Sequence, residues 1–91
     1  MVQFTWDPRK VTSNLRKHGV SFEEATTVFA DPLAVVVEDA LYAERAILIG
    51  QSEKQRVLFT VFVELNADSI RIISARRATS HERRRYEEGE S

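Results

Sequence analysis

The chain contains no cysteine, and only three glycines and two prolines among its 91 residues. Without cysteine it can form no disulfide, no thiolate–zinc site and no cysteine nucleophile. No apolar run approaches the roughly 20 residues of a membrane span, and the N-terminus lacks a signal-peptide pattern. We therefore expect a soluble, cytoplasmic protein with one domain over residues 1–91, because a chain this short has room for a single core.

Charge is plentiful but unevenly distributed. The net charge is only −1, yet residues 1–17 carry +3, residues 18–70 carry −6 and residues 71–86 carry +5. Ten of the thirteen basic residues are arginine, whose planar guanidinium matches a phosphate better than an ammonium group does. Either the fold brings the two basic blocks together into one cationic face, or the arginines are simply solvated. The sequence leaves both possibilities open.

Local signals predict three helices. Asp7 followed by Pro8 is typical of a helix start, residues 8–18 have amphipathic spacing, and Gly19 stands where a left-handed residue ends a helix. Capping boxes that begin at Ser21 and at Thr79 predict a second helix, which ends at residues 31–32, and a last helix to about residue 88.

Alternating or β-branched runs predict strands over residues 3–6, 33–37, 45–49, 56–64 and 70–76. The predicted order is therefore β-α-α-β-β-β-β-α. Because short turns join the consecutive strands, we expect an α+β domain: a small, mostly antiparallel sheet of four to five strands, with two N-terminal helices and one C-terminal helix.

The last predicted strand raises a question about Arg76. Strict alternation places Ile70, Ile72, Ser74 and Arg76 on one face, and Arg71, Ile73, Ala75 and Arg77 on the other. An arginine on a face otherwise suited to packing needs a partner. Either Arg76 emerges at the rim of the sheet and binds an anion, or it pairs with a carboxylate such as Asp39 or Glu44.

The first helix carries Lys10, Asn14 and His18 at i, i+4 and i+8, along one side. This stripe includes an imidazole, the usual proton carrier at neutral pH, although a histidine at a core edge is more often a hydrogen-bonded structural residue. His18 and His81 have no acidic residues at ligand spacing, so we expect no metal site. No glycine-rich phosphate loop is present either, and no cofactor is expected.

Three segments carry a resemblance to a known family. They read F-x-W-D-P-x-K-x-x-x-N-x-x-K-H-G-V-S-F-E-E-A-x-x-V-F-x-D-P over residues 4–32, E-R-x-I-x-I-G over 44–50, and I-R-I-I-S-A-R-x-A-T-x-x-E-R-x-x-Y over 70–86. In these segments the chain resembles the BrnT family, toxins of type II toxin–antitoxin pairs. It departs from the family pattern at Tyr42-Ala43, where the family has a turn glycine, so the turn before Arg45 is expected to differ in shape.

The resemblance implies a fold related to RelE-type ribonucleases and an activity that cuts RNA without a metal and arrests translation. It also implies a BrnA-type antitoxin as partner, in a complex of two toxins and two antitoxins. The antitoxin would supply a ribbon-helix-helix DNA-binding part, so DNA is contacted only through it. No membrane partner is implied.

Metal-free cleavage of RNA requires a base, an acid and cations that stabilise the extra charge on the phosphorane. Guided by the resemblance, we expect Arg45 and Arg76 at the scissile phosphate, with Lys10 and His18 as proton-transfer candidates and Glu44 as an alternative base. Flanking phosphates would be held by five further bases: Lys17, Arg77, Arg83, Arg84 and Arg85.

A second interpretation is a non-catalytic subunit that binds RNA or the antitoxin within a DNA-bound autorepressor complex. In that case Arg45 and Arg76 would be dispensable. The nuclease hypothesis, by contrast, needs cationic side chains from opposite ends of the chain to meet at one phosphate-sized spot.

Overall fold

The structure, a computed structural model, describes residues 2–89 and contains five strands and three helices within that range. In chain order the elements are β1 (Gln3–Trp6), α1 (Val11–His18), α2 (Phe22–Thr27), β2 (Val35–Glu38), β3 (Ala46–Gln51), β4 (Val57–Asn66), β5 (Ser69–Arg77) and α3 (Ser80–Glu88). Single 3₁₀ turns, Pro8–Lys10 and Val28–Ala30, precede α1 and follow α2. The α+β class and the helix and strand numbers predicted from the sequence are confirmed.

Capping groups act where the sequence predicts them. The Asp7 carboxylate accepts a hydrogen bond from the second following backbone N–H at 2.9 Å, and Gly19 ends α1 at a φ of 69°. At Ser21 only half of the capping box forms: its hydroxyl accepts from the backbone N–H of Glu24, but the Glu24 side chain turns elsewhere. Thr79 forms the complete, reciprocal box at the start of α3.

The sheet has the order β1-β5-β4-β3-β2. Strands β2 to β5 form an antiparallel meander, because short turns join them, whereas β1 adds to the edge of β5 in parallel. β1 pairs only with residues 69–72 of β5, so the following part of β5 extends beyond its neighbour. Helix α1 lies beside this extension.

The predicted alternation along β5 is wrong, because β5 contains a bulge. Phe62 pairs with Ile72 and Val61 pairs with Ser74, which leaves Ile73 without a partner on β4. The side chains reverse their faces at that point, and both Ile72 and Ala75 are buried. Ser74 and Arg76 therefore do not share a face with Ile70 and Ile72, as strict alternation predicted.

Helix α2 covers one face of the sheet and adds Phe22 and Ala25 to the core. Its buried side chains, together with those of Val20 and Val28, pack against Leu48, Leu58, Phe62, Ile72 and Ala75. Thr60 is fully buried on the same face, and its hydroxyl has no hydrogen-bond partner within residues 2–89. Position 50 requires glycine because Ala34 packs closely against the backbone there: a Cβ at this position would lie 2.9 Å from the Cβ of Ala34.

A buried ion pair fixes the β3–β4 turn against α2. Glu24 is 1% exposed, and its carboxylate accepts hydrogen bonds from the Ser52 hydroxyl at 2.6 Å and from Nε and Nη2 of Arg56. Burial alone would raise the pKa of Glu24, but these hydrogen bonds outweigh burial and hold the pKa below its usual value. Arg56 also donates to the Gly19 carbonyl at 3.0 Å, so one guanidinium links α1, α2 and the turn.

Helix α3 contacts the opposite face of the sheet. The Tyr86 hydroxyl donates to Asp31 Oδ2 at 2.6 Å, and the same oxygen accepts from the backbone N–H of Gln51 at 2.8 Å. Burial and the neighbouring Asp31 carboxylate raise the pKa of Tyr86 to about 12. This junction attaches the C-terminal helix to the end of β3.

Candidate active site

The side chain of Asn14 attaches α1 to the extended part of β5. Its amide donates to the carbonyls of Val20 and Ala75, at 2.9 Å each, and its oxygen accepts from the Ala75 N–H at 3.3 Å. Asn14 thus bonds to both backbone groups of Ala75, as a neighbouring strand would, just where β1 has ended. The predicted stripe on α1 is therefore held in place by its middle residue.

Basic side chains from α1 and from the 3₁₀ turn before it line a cleft of about 390 Å³ between this helix and the bulged part of β5, which we call the α1 cleft. Its basic side chains are Lys10, Lys17, His18 and Arg45. Ser13 and Asn14 of α1, with Ile73 and Ser74 at the bulge, complete its lining. Of the five catalytic candidates named from the sequence, the fold brings three together here: Lys10, His18 and Arg45.

Arg45 enters this cleft from a turn whose shape depends on Asp39 and Tyr42. The Asp39 carboxylate accepts from the backbone N–H groups of Leu41 and Tyr42, and the Arg45 N–H donates to the Tyr42 carbonyl at 3.0 Å. The Arg45 guanidinium stacks 4.2 Å from the centre of the Tyr42 ring. Tyr42 therefore holds the side chain of Arg45, which lines the cleft.

Arg76 does not line the α1 cleft, so the two arginines expected at one phosphate, Arg45 and Arg76, are not brought together there. Arg76 lies on the same face as Ser74, one step further along β5, but its guanidinium forms two hydrogen bonds to the Glu82 carboxylate, at 2.8 and 2.9 Å. It also stacks 3.9 Å from the centre of the Phe59 ring. The partner is neither Asp39 nor Glu44, the carboxylates considered from the sequence.

The surroundings of Glu82 keep its carboxylate ionised beside Arg76. Burial alone would raise the pKa of Glu82, but the hydrogen bonds from Arg76 and from the Thr79 backbone outweigh burial and lower it. Glu82 therefore remains ionised at neutral pH and keeps its attraction for the guanidinium. Phe59 and Glu82 together hold Arg76 against α3.

A second and larger cleft, of about 600 Å³, lies between α3 and the β3–β4 turn; we call it the α3 cleft. Arginines from three different elements line it: Arg56, Arg77 and Arg83. Gln51 and Gln55 face it from the turn region, and Tyr86 and Glu87 from α3. Sequence reasoning missed Arg56, because only the fold brings it beside Arg77.

The remaining candidates are dispersed. Arg84 is exposed and lines neither cleft, whereas Arg85 is half-buried and already engaged within the fold. Glu44 is exposed and lies outside the α1 cleft. Among residues 2–89, no three His, Asp or Glu side chains lie close enough together to hold a metal ion.

The chain is thus one of the small α+β proteins with a five-stranded sheet, and it has a basic cleft between its first helix and its last strand. A family model described as "Ribonuclease toxin, BrnT, of type II toxin-antitoxin system" matches residues 6–82 of this chain. The chain belongs to this family, and membership implies an antitoxin partner. The matched range contains every residue of the α1 cleft but ends before Arg83.

The fold agrees with that of a solved relative. The 1.1 Å crystal structure of the Brucella abortus ribonuclease toxin BrnT superimposes with a TM-score of 0.70. The two sequences are 23% identical, and the match covers 88% of this chain and 100% of the Brucella chain. A search of curated proteins found no match. No helix within residues 2–89 is long and apolar enough to cross a membrane.

Proposed function

We propose that the chain is a metal-independent endoribonuclease that cleaves RNA in the α1 cleft and thereby inhibits translation. The observation that carries the proposal is the convergence of four basic side chains in one cleft. Lys10, Lys17 and His18 come from the start of the chain, whereas Arg45 comes from the turn before β3. Family membership supports ribonuclease chemistry.

The proposed reaction uses the 2′-hydroxyl of the RNA as its nucleophile. A base removes the 2′-OH proton, the oxygen attacks the adjacent phosphorus, and the bond from phosphorus to the 5′-oxygen breaks. An acid protonates the departing 5′-oxygen, which leaves a 2′,3′-cyclic phosphate and a 5′-hydroxyl. Because extra negative charge develops on the phosphorane, fixed cations beside it lower the barrier.

The α1 cleft contains groups suited to each role. His18 and Lys10 are the proton-transfer groups, and Arg45, held over the Tyr42 ring, binds the scissile phosphate. Lys17 binds an adjacent phosphate. We assign no step to Glu44, which lies outside the cleft, or to Arg76, which would have to leave Glu82 before it could contact the phosphate.

Cleavage of single-stranded RNA by the purified chain, with a chelator present, tests this proposal. His18→Ala is expected to lower kcat by roughly 100-fold or more, because a general acid or base contributes about 10²–10⁴-fold. Arg45→Ala is expected to lower kcat by about 10²–10³-fold, the usual effect of removing one group that stabilises transition-state charge.

The chain offers a matched control for the histidine. His81 is exposed in the first turn of α3, outside both clefts, so His81→Ala should leave kcat unchanged. Full activity of His18→Ala between about pH 6 and 8 would refute its catalytic role. Loss of cleavage by the unmodified chain upon addition of the chelator would refute metal independence.

The partner in this proposal is a BrnA-type antitoxin that forms a complex of two toxins and two antitoxins and supplies the DNA contact. The chain expressed alone should arrest growth of the host cell, and co-expression of the antitoxin should restore it. Light scattering of the purified complex gives the stoichiometry. Normal growth on expression of the well-folded chain would instead indicate a non-catalytic subunit.

A further inference from the structure

The α3 cleft combines free positive charge with a large opening. Arg77 and Arg83 have no carboxylate within ion-pair distance among residues 2–89, although Glu87 lines the same cleft. Arg56 is different, because Glu24 already neutralises it and holds its guanidinium in place. Two uncompensated guanidiniums thus share a cavity with one that is fixed.

The cleft also has hydrogen-bond donors beside those charges. Gln51 and Gln55 carry amides that can donate to an oxygen anion, and the β3–β4 turn that bears them is tied to α2. In this turn the Ser52 N–H donates to the Arg56 carbonyl at 2.8 Å and the Gln55 N–H to the Ser52 carbonyl at 2.9 Å. Guanidinium forks and amide donors around one cavity suit a phosphate.

The position of the cleft favours the phosphate of a nucleic acid strand over an isolated anion. Ser74 lines the α1 cleft, whereas Arg77 and Ala78 line the α3 cleft, so both sites border the same strand. At about 3.3 Å per residue, Ser74 and Arg77 are roughly 10 Å apart along β5. Ser74 and Arg77 point to opposite faces of β5, so an extended polyanion that occupies both clefts passes around the end of this strand.

We propose that the α3 cleft binds a backbone phosphate of the RNA strand whose scissile bond occupies the α1 cleft, an inference that rests on the proposed function. Arg77 and Arg83 supply the charge, and Arg56 with the two glutamines shapes the site. This assignment separates Arg77 and Arg83 from Arg84, with which the sequence pattern had grouped them.

The test is the salt dependence of binding to a single-stranded 2′-O-methyl RNA, which lacks the free 2′-hydroxyl and so cannot be cleaved. Each phosphate contact with a single strand contributes about −0.7 to the slope of log K against log salt concentration. Fluorescence anisotropy between about 50 and 200 mM salt should give slopes that are shallower by roughly 0.7 for Arg77→Ala and for Arg83→Ala.

Arg84→Ala is the matched control, since it removes the same charge from the exposed side of the same helix. Its slope should equal that of the unmodified chain. The proposal is overturned if Arg77→Ala and Arg83→Ala behave like Arg84→Ala, or if the unmodified chain does not bind the RNA. Thermal melts should coincide for all three variants, because none of these side chains has an ion-pair partner within the described residues.

Two further outcomes separate this inference from the proposed function. Altered slopes together with an absence of cleavage would support the α3 cleft as an RNA site while removing the nuclease proposal. Unaltered slopes together with weakened binding of the purified antitoxin would assign the cleft to a protein carboxylate, and would overturn the inference.

Discussion

Replacement of Asn14 by alanine should destabilise the protein far more than its helical position alone would suggest. Asn14 is 7% exposed and makes three hydrogen bonds, one to Val20 and two to Ala75. Alanine would leave a backbone N–H and two carbonyls without partners. At about 1 kcal/mol for each bond, the loss is about 3 kcal/mol. In a domain of this size, a loss of this magnitude lowers Tm by roughly 12–24 °C.

Urea unfolding followed by circular dichroism measures this loss directly. The midpoint should fall while the m-value stays constant, which would show that the folded state itself has lost stability. Ser13→Ala is the matched control, because Ser13 is the exposed neighbour on the same helix and should change the unfolding free energy by no more than about 0.5 kcal/mol.

Asn14→Asp distinguishes the bonds from simple loss of packing. Aspartate preserves the shape and can still accept from the Ala75 N–H, but at neutral pH it presents an anion to the carbonyls of Val20 and Ala75. It should be at least as unstable as Asn14→Ala. If Asn14→Ala loses less than about 1 kcal/mol, the amide is not what joins α1 to β5.

Two further substitutions test the buried polar groups. Glu24→Gln should cost about 2 kcal/mol at neutral pH, because Arg56 loses its anionic partner. Since the folded-state pKa of Glu24 lies below its usual value of 4.5, this stabilisation is complete above about pH 4.5 and declines as the pH falls further. The difference in unfolding free energy between Glu24→Gln and the unmodified protein, measured with urea, should therefore become smaller at low pH. A difference that does not change with pH would show that the Glu24–Arg56 ion pair does not stabilise the fold. Thr60→Val should raise the unfolding free energy by about 1 kcal/mol, because it removes a buried hydroxyl that has no hydrogen-bond partner. Thr5→Val, on the exposed side of β1, is the control and should not raise it. A lower unfolding free energy for Thr60→Val would mean that the Thr60 hydroxyl forms a hydrogen bond in solution.

Features encoded by neighbouring residues were predicted well from the sequence. Gly19 ends a helix because only nearby backbone atoms decide its conformation, and the capping box at Thr79 needs no information beyond its own turn. Only half of the capping box at Ser21 forms, because the Glu24 carboxylate binds Arg56, which lies 32 residues further along the chain. Long-range pairing therefore overrode a local preference.

Prediction was less successful where faces and distant partners mattered. Ile72 and Ile73 are identical in the pattern, so nothing in it marks the residue that lacks a partner. The position of this unpaired residue decides on which face Arg76 lies, and Arg76 consequently contacts Glu82 and does not line the α1 cleft. Lys10 and His18 were grouped because one helix was predicted over residues 8–18, and both line the α1 cleft, whereas the approach of Arg45 was expected only from the resemblance.

The unpaired residue at position 73 sets the face of the sheet on which each later side chain of β5 lies. Downstream of this residue, Ser74 turns to the cleft, Ala75 to the interior and Arg76 to the C-terminal helix. Because Ile73 is the extra residue of the bulge, its deletion would leave Ile72, Ser74, Ala75 and Arg76 in regular alternation on the faces they occupy now. Deletion of a residue from a strand without a bulge, such as β3, would instead exchange interior for surface at every following position, so β5 can lose one residue here and keep its pattern.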